Sequence, residues 1–328
     1  MIGKVVFVNI SSVYGGQERY AKSIISFFNN RCVDVDFIGG PDILKQMACF
    51  SRTKTNFSIS ILNGNSALYK YIFSSLPGKF NVYVQHSDIN DGQQPRWRCW
   101  IRKALLKVLL RRINLVVRVC EKALPDSYAP GKIITIHNGV SLPSITFTSK
   151  NFNQGYRLLM VGAFTKNKNQ CMAIEALKLL PQATLTLVGD GPEREKLKLL
   201  ASSLNVQDRV IFTGFVTDPS KYYQTHDLLL MLSQFEAFPY VVLEAMAAYC
   251  PVLATKVGGV PEAIVHNHNG WLLNGSSSQE LADRVAAIYQ DSDKYNDIAI
   301  QARKTIESRF TEEGMVDRLL AEIEKRLK

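Results

Sequence analysis

The chain has 328 residues, 46% hydrophobic and 21% charged; the length exceeds one ordinary core, and the balance excludes a disordered chain. The net charge of +10 is uneven, because residues 1–150 hold 20 Lys and Arg against 8 Asp and Glu while residues 151–328 hold 19 against 21. The basic excess belongs to the N-terminal half and points to a polyanionic partner there: nucleic acid, anionic lipid head groups or a pyrophosphate-linked acceptor.

In chain order, the first half alternates short β-branched or aromatic runs with amphipathic stretches. Val5–Ile10 is followed by a helix over Gln17–Asn30 and by Val35–Gly39, with later strands near Ser58–Leu62, Asn81–Gln85, Leu115–Cys120 and Ile133–His137. This is the βα alternation of a parallel sheet covered on both faces. A polar stretch, Ser144–Tyr156, reads as a linker, and strands resume at Arg157–Val161, Thr184–Val188, Val210–Thr213, Leu228–Leu232 and Val252–Ala254. From Gln279 onward only helical periodicity remains, with Glu312 and Glu313 opening the last helix and Lys325, Arg326 and Lys328 closing it, as the helix dipole favours. The expected fold class is α/β, with two doubly wound parallel-sheet domains at 1–150 and 151–310. A helix at 311–328 is placed to pack across their junction.

Cys32, Cys49, Cys99, Cys120, Cys171 and Cys250 form no Cys-x-x-Cys pair, so they read as reduced thiols of a cytoplasmic protein rather than a zinc site or disulfide framework. Met1–Ile10 lacks the apolar region of a signal peptide, and no apolar run reaches the roughly 18 residues that span a bilayer. Membrane attachment is therefore expected to be peripheral, on the inner face of the cytoplasmic membrane.

Three features of the first half bear on chemistry. Gly15 and Gly16 follow the first strand, where adjacent glycines let backbone approach a ligand and supply helix-start amides. They make no Gly-x-Gly-x-x-Gly fingerprint, which counts against a dinucleotide-dependent dehydrogenase. His86 stands just after the apolar run ending at Gln85. Arg96–Arg112 carries Arg96, Arg98, Arg102, Lys103, Lys107, Arg111 and Arg112 and no acidic residue, while Trp97, Trp100, Ile101, Ala104, Leu105, Val108 and Leu109 recur at helical spacing. One reading packs this apolar face on the sheet and leaves the cations solvated. The other lays the helix in a membrane interface, with Trp97, Trp100 and the seven cations as contacts, and one helix can do both. No nucleic-acid recognition motif accompanies the charge, so nucleic acid is not an expected partner.

The strongest signal lies in the second half, over Ser233–Thr255. Glu236 falls in the loop at the C-terminal end of an apolar strand, Phe238 and Pro239 turn the chain, and a helix starts near Tyr240, where backbone N–H groups can hold a phosphate. Glu244 lies a little over one turn inside that helix. Two carboxylates flanking a helix N-terminus can accept hydrogen bonds from sugar hydroxyls while the amides between them hold a diphosphate.

This stretch resembles the Glu-x7-Glu motif of the retaining family-4 glycosyltransferases, enzymes of the two-Rossmann-domain GT-B architecture. Val161–Asn169 is similar to that family's Gly-Arg-Leu…Lys-Asn segment, Leu187–Arg194 to its Gly-x-Gly-Pro turn, Val210–Val216 to its Val-x-Phe-x-Gly segment and Val257–Glu262 to its Gly-Gly-x-x-Glu loop. In the first half, Gly15–Glu18 resembles the Gly-Gly-x-Glu loop beneath the donor's reacting sugar, and His86 the histidine that faces it. His137–Val140 resembles the family's Pro-Asn-Gly-Val segment, with His137 in place of proline, and reads as architecture.

The resemblance implies that Glu236 contacts donor-sugar hydroxyls, Glu244 the ribose, and Lys168 the diphosphate leaving group, with Glu236, Lys168 and His86 as the catalytic set. It implies that Gly15, Gly16, Gly162, Lys166, Gly189, Phe215, Phe238, Pro239, Tyr240 and Val241 join Glu244 around the donor. A nucleotide diphosphate sugar is the implied co-substrate, UDP-linked before GDP-linked, with no cofactor and no metal. The implied acceptor is a saccharide or a lipid-linked molecule in polysaccharide, lipopolysaccharide or capsule synthesis. One departure is Ala163, where the family usually has arginine; Lys166 is the candidate replacement. A sugar-nucleotide epimerase and a non-catalytic sugar-nucleotide or membrane-binding protein of the same fold stay open as rival readings.

Overall fold

The computed structural model describes residues 4–10, 15–30, 34–39, 57–71, 75–89, 96–152, 155–275 and 277–328. The chain divides into two compact units, Met1–Asn138 with Glu312–Lys328, and Gly139–Thr311.

The first unit is built on six parallel strands: β1 (Val5–Asn9), β2 (Val35–Gly39), β3 (Phe57–Asn63), β4 (Gly78–Gln85), β5 (Leu115–Arg118) and β6 (Ile133–Thr135). Their order is β2-β1-β3-β4-β5-β6. Every residue of β1, Val-Val-Phe-Val-Asn, is buried, as expected of an inner strand covered on both faces. The helix Gly16–Asn30 follows β1, and the helix Arg96–Leu110 stands between β4 and β5.

Only part of the apolar face expected on that second helix reaches the core. Leu106, Leu109 and Leu110 are buried, while Trp97, Trp100, Ile101 and Val108 are exposed. Leu109 therefore belongs to a separate, inward stripe with Leu106 and Leu110, and the single face read from the sequence is two faces.

The second unit holds β7 (Tyr156–Val161), β8 (Ala183–Val188), β9 (Val210–Gly214), β10 (Leu228–Met231), β11 (Val252–Thr255) and β12 (Trp271–Leu273). These six strands are also parallel, in the order β12-β11-β10-β7-β8-β9. The winding direction reverses between β7 and β10, so the loops after these two strands lead away to opposite sides and leave a crevice at their carboxyl ends. β12 is absent from the sequence reading because three residues carry too little alternation to register.

The second unit starts before the stretch read as a linker. The Val140 N–H donates to Phe310 O at 2.9 Å, the Lys150 N–H to Asn296 Oδ1 at 2.9 Å and Lys150 Nζ to Asp227 Oδ1 at 2.7 Å. The last helix, Glu312–Leu327, belongs to the first unit. It buries Met315, Val316, Leu319 and Ile323 and packs against the helix Gly16–Asn30, and Arg318 Nη2 donates to Thr135 O at 3.4 Å. Among the described residues no helix is long and apolar enough to cross a membrane.

Candidate active site

In the second unit Asn167 ties the loop after β7 to the loop after β10. Asn167 Nδ2 donates to Phe235 O at 3.1 Å, its Oδ1 accepts from the Phe235 N–H at 2.9 Å, and its backbone carbonyl accepts from the Gln234 N–H at 2.9 Å. An amide at the tip of a short side chain satisfies a loop carbonyl and a loop N–H together, as a neighbouring strand would. This brings Lys168 to Glu236: Lys168 Nζ donates to Glu236 Oε1 in an ion pair, and Ser233 Oγ donates to the same oxygen at 2.9 Å. Thr255, closing β11, donates from Oγ1 to Ser233 O at 2.6 Å. The two residues expected to meet the donor sugar and its diphosphate thus form one constellation, both partly buried.

Glycines permit this approach. Gly258 has φ +51°, and a Cβ there would collide with the Glu236 carbonyl oxygen; the neighbouring Gly259 N–H donates to Ala237 O at 2.7 Å. The Gly-Gly loop after β11 therefore backs the Glu236 loop directly. Gly189, at φ +144°, plays the same part after β8, where a Cβ would collide with the Gly162 carbonyl.

The helix Tyr240–Ala247 has Pro239 at its N-cap, whose own side chain makes no capping hydrogen bond. A helix N-terminus is where backbone N–H groups and the helix dipole can take an anion. Glu244 follows on the same helix, and Tyr223 Oη donates to Glu244 Oε2 at 2.8 Å. Tyr223 comes from the short helix Ser220–Thr225 and is 3% exposed. Sequence reading missed it, since nothing in Ser220–Thr225 separates Tyr223 from its neighbour Tyr222.

The remaining expected residues are placed as follows. Phe238 is buried with its ring 5.4 Å from that of Phe310, so its contribution to a ligand would come from backbone. Phe215 is exposed beyond β9. Ala163 O accepts from Gln170 Nε2 at 3.1 Å. Lys166 is exposed and lines a hollow with Cys171, Glu193 and Lys196.

In the first unit, Gly15 precedes the helix Gly16–Asn30, and its N–H donates to Glu18 Oε2 at 2.8 Å, half of a capping box. His86 Nε2 lies 2.6 Å from Asn63 Oδ1. Asn63 Nδ2 donates to the Gln17 carbonyl at 2.9 Å and to Asn9 Oδ1 at 3.1 Å. A carbonyl only accepts, so the Gln17 contact orients the Asn63 amide, and His86 carries its proton on Nε2. Burial pushes the His86 imidazole down to about 3, so it is neutral near pH 7, with its Nδ1 lone pair unprotonated. The relay Gln17–Asn63–His86 joins β1, the first helix, β3 and the end of β4, and only the tertiary structure reveals Asn63 as the residue that sets the tautomer.

Residues 144–305 match the family described as Glycosyl transferases group 1. Among curated proteins, the chain is 33% identical over 162 residues to the N-acetyl-alpha-D-glucosaminyl L-malate synthase of Bacillus anthracis, covering 48% of this chain and 42% of that one. It is 29% identical over 163 residues to the lipopolysaccharide core biosynthesis glycosyltransferase LpsE of Rhizobium meliloti, covering 50% and 48%. The chain thus spans about half the length of these curated relatives. Over its whole length it has the fold of Anabaena HepE, solved in complex with UDP and glucose, with a TM-score of 0.82, 21% identity and coverage of 98% of this chain and 100% of that one. Residues 144–305, on the unit that holds Glu236, Lys168 and Glu244, belong to the group 1 glycosyltransferases, and with the two-unit parallel-sheet fold they support a family-4 type glycosyltransferase of GT-B fold.

Proposed function

We propose that this chain transfers a glycosyl group from a nucleoside diphosphate sugar, a UDP-sugar before a GDP-sugar, to a saccharide or lipid-linked acceptor in cell-envelope polysaccharide synthesis. The observation that carries the reading is the Lys168–Glu236–Ser233 constellation at the loop that leads into the helix of Glu244. The relatives in lipopolysaccharide core and amylovoran biosynthesis, and the UDP and UDP-glucose complexes of HepE, support it.

In this reading the diphosphate lies against the first turn of the helix Tyr240–Ala247, and Glu244 accepts from the ribose hydroxyls. Glu236 accepts from hydroxyls of the donor sugar, and Lys168 meets the charge that grows on the leaving phosphate. The bond from the anomeric carbon to the β-phosphate oxygen breaks with its electron pair going to that oxygen. The acceptor oxygen bonds to the same face of the carbon and passes its proton to the departing phosphate, so configuration is retained. A lysine and aimed backbone amides meet the leaving-group charge without a metal ion. The four described cysteines, Cys99, Cys120, Cys171 and Cys250, are free thiols, which fits a cytoplasmic setting.

Calorimetry and thermal shift with UDP, GDP, ADP and their sugar conjugates test the donor site. UDP or UDP-sugars are expected to bind, and Glu244→Ala to weaken them by about 1–3 kcal/mol, the cost of a lost hydrogen bond to a carboxylate. Absence of nucleotide binding to the unaltered protein would remove the reading. With the donor known, the anomeric configuration of the product and turnover in the presence of a chelator test retention and metal independence.

A further inference from the structure

The helix Arg96–Leu110 has two apolar stripes, and among the described residues only one has a partner. Leu106, Leu109 and Leu110 enter the core of the first unit, and Arg102, on the same side, donates from Nη2 to Ile89 O at 2.9 Å. At about 100° per residue, Trp97, Trp100, Ile101, Ala104 and Val108 fall on the opposite side, at helical spacings of 0, 3, 4, 7 and 11. Trp97 is 61% exposed, Trp100 71%, Ile101 49% and Val108 55%. No other described helix carries more than one exposed large hydrophobic side chain, and single exposures of that kind need no explanation. Four on one stripe do.

The charges are distributed to match. Arg98 falls along one edge of the stripe and Lys107 along the other, both exposed, and the exposed Arg111 and Arg112 follow the last residue of the helix, Arg112 also donating from Nη1 to Tyr71 O at 2.7 Å. No acidic residue lies between Arg96 and Arg112. Arg98 lies over the Trp97 ring and Lys107 over the Tyr128 ring, at 5.1 and 4.9 Å. An apolar strip about 17 Å long, with aromatic rings at one end and a cation along each edge, matches the cross-section of a bilayer interface: acyl chains under the strip and phosphates beside it.

We infer that this outer stripe is a docking surface for an anionic membrane, with the helix lying in the plane of the interface and Trp97 and Trp100 inserted. A second copy of the chain fits less well, because a two-fold pairing of the stripe would set the cation rows of both copies against each other. The aliphatic centre of Ile101, Ala104 and Val108 offers nothing to nucleic-acid bases or phosphates. The inference rests on no residue of the nucleotide site, so it stands or falls separately from the proposed reaction.

The test is co-flotation of the full chain with vesicles of phosphatidylcholine alone or with phosphatidylglycerol added. The chain has three tryptophans, and the third, Trp271, is 3% exposed in the other unit, so a fluorescence change on vesicle addition reports on Trp97 and Trp100. The expected result is flotation with the anionic vesicles only, weakened by salt, with a blue shift and protection from acrylamide. Trp97→Ser with Trp100→Ser is expected to lower partitioning at least tenfold with an unchanged Tm. Lys107→Gln with Arg111→Gln is expected to lower it by about fivefold per charge. The inference is overturned by no flotation at low salt, by equal flotation with neutral vesicles, or by a concentration-dependent dimer that the tryptophan changes abolish. Binding to single-stranded RNA without vesicle binding would do the same.

Discussion

Glu244 is set by a residue the motif does not contain. A carboxylate on a helix surface samples several rotamers, and in the proposed reaction each one that points away from the ribose lowers the fraction of protein ready to bind. The 2.8 Å bond from the Tyr223 hydroxyl selects one of them, and the buried ring of Tyr223 holds that hydroxyl in place. Tyr223→Phe keeps the ring and removes the bond. The expected outcome in steady-state kinetics is a donor KM raised about fivefold, the worth of about 1 kcal/mol, with kcat little changed. The same variant should bind a donor lacking its ribose hydroxyls as well as the unaltered protein does. A general loss of stability would instead lower both affinities, so this comparison separates positioning from damage.

At the scale of elements, the anchor between β7, β10 and the segment that precedes them is Asp227. Its side chain is 4% exposed and binds Lys150 Nζ at 2.7 Å and Arg157 Nη2 at 2.9 Å. It also accepts from the Arg157 backbone N–H at 2.9 Å. Burial alone would raise its carboxyl, but the hydrogen bonds from Arg157 and the charge of Lys150 prevail and hold it below the usual aspartate value of 3.8. A depressed carboxylate contributes stability that is fully present above the ordinary value and is lost as pH falls through the folded one. Asp227→Asn is therefore expected to cost about 2 kcal/mol in urea unfolding at pH 7, a figure discounted for the exposed Arg157. The difference from the unaltered protein should shrink as the pH is taken below 3.8. A cost that stayed constant down to pH 3 would show that shape rather than charge is at stake.

For the molecule as a whole, chain order and spatial order part company at the C-terminus. The helix Glu312–Leu327 returns to the first unit and buries Met315, Val316, Leu319, Leu320 and Ile323 there. At about 2 kcal/mol for each buried side chain, these amount to on the order of 10 kcal/mol, comparable to the whole stability of a domain. Deleting residues 312–328 is expected to abolish cooperative unfolding of the first unit in calorimetry while UDP binding to the second persists. The sequence by itself determined the alternation of strands and helices, the doubly wound class and the Glu236–Glu244 spacing, because burial periodicity and the chemistry of strand ends are written in local residue order. Only the tertiary structure decided which residues serve that site at a distance: Asn167 joining two loops, Tyr223 on Glu244, and Asn63 fixing the proton of His86. It also decided that the helix Arg96–Leu110 turns its leucines inward and its tryptophans outward. Hydrophobic periodicity reports that a face is apolar, but which face meets the core depends on what the rest of the chain brings against it.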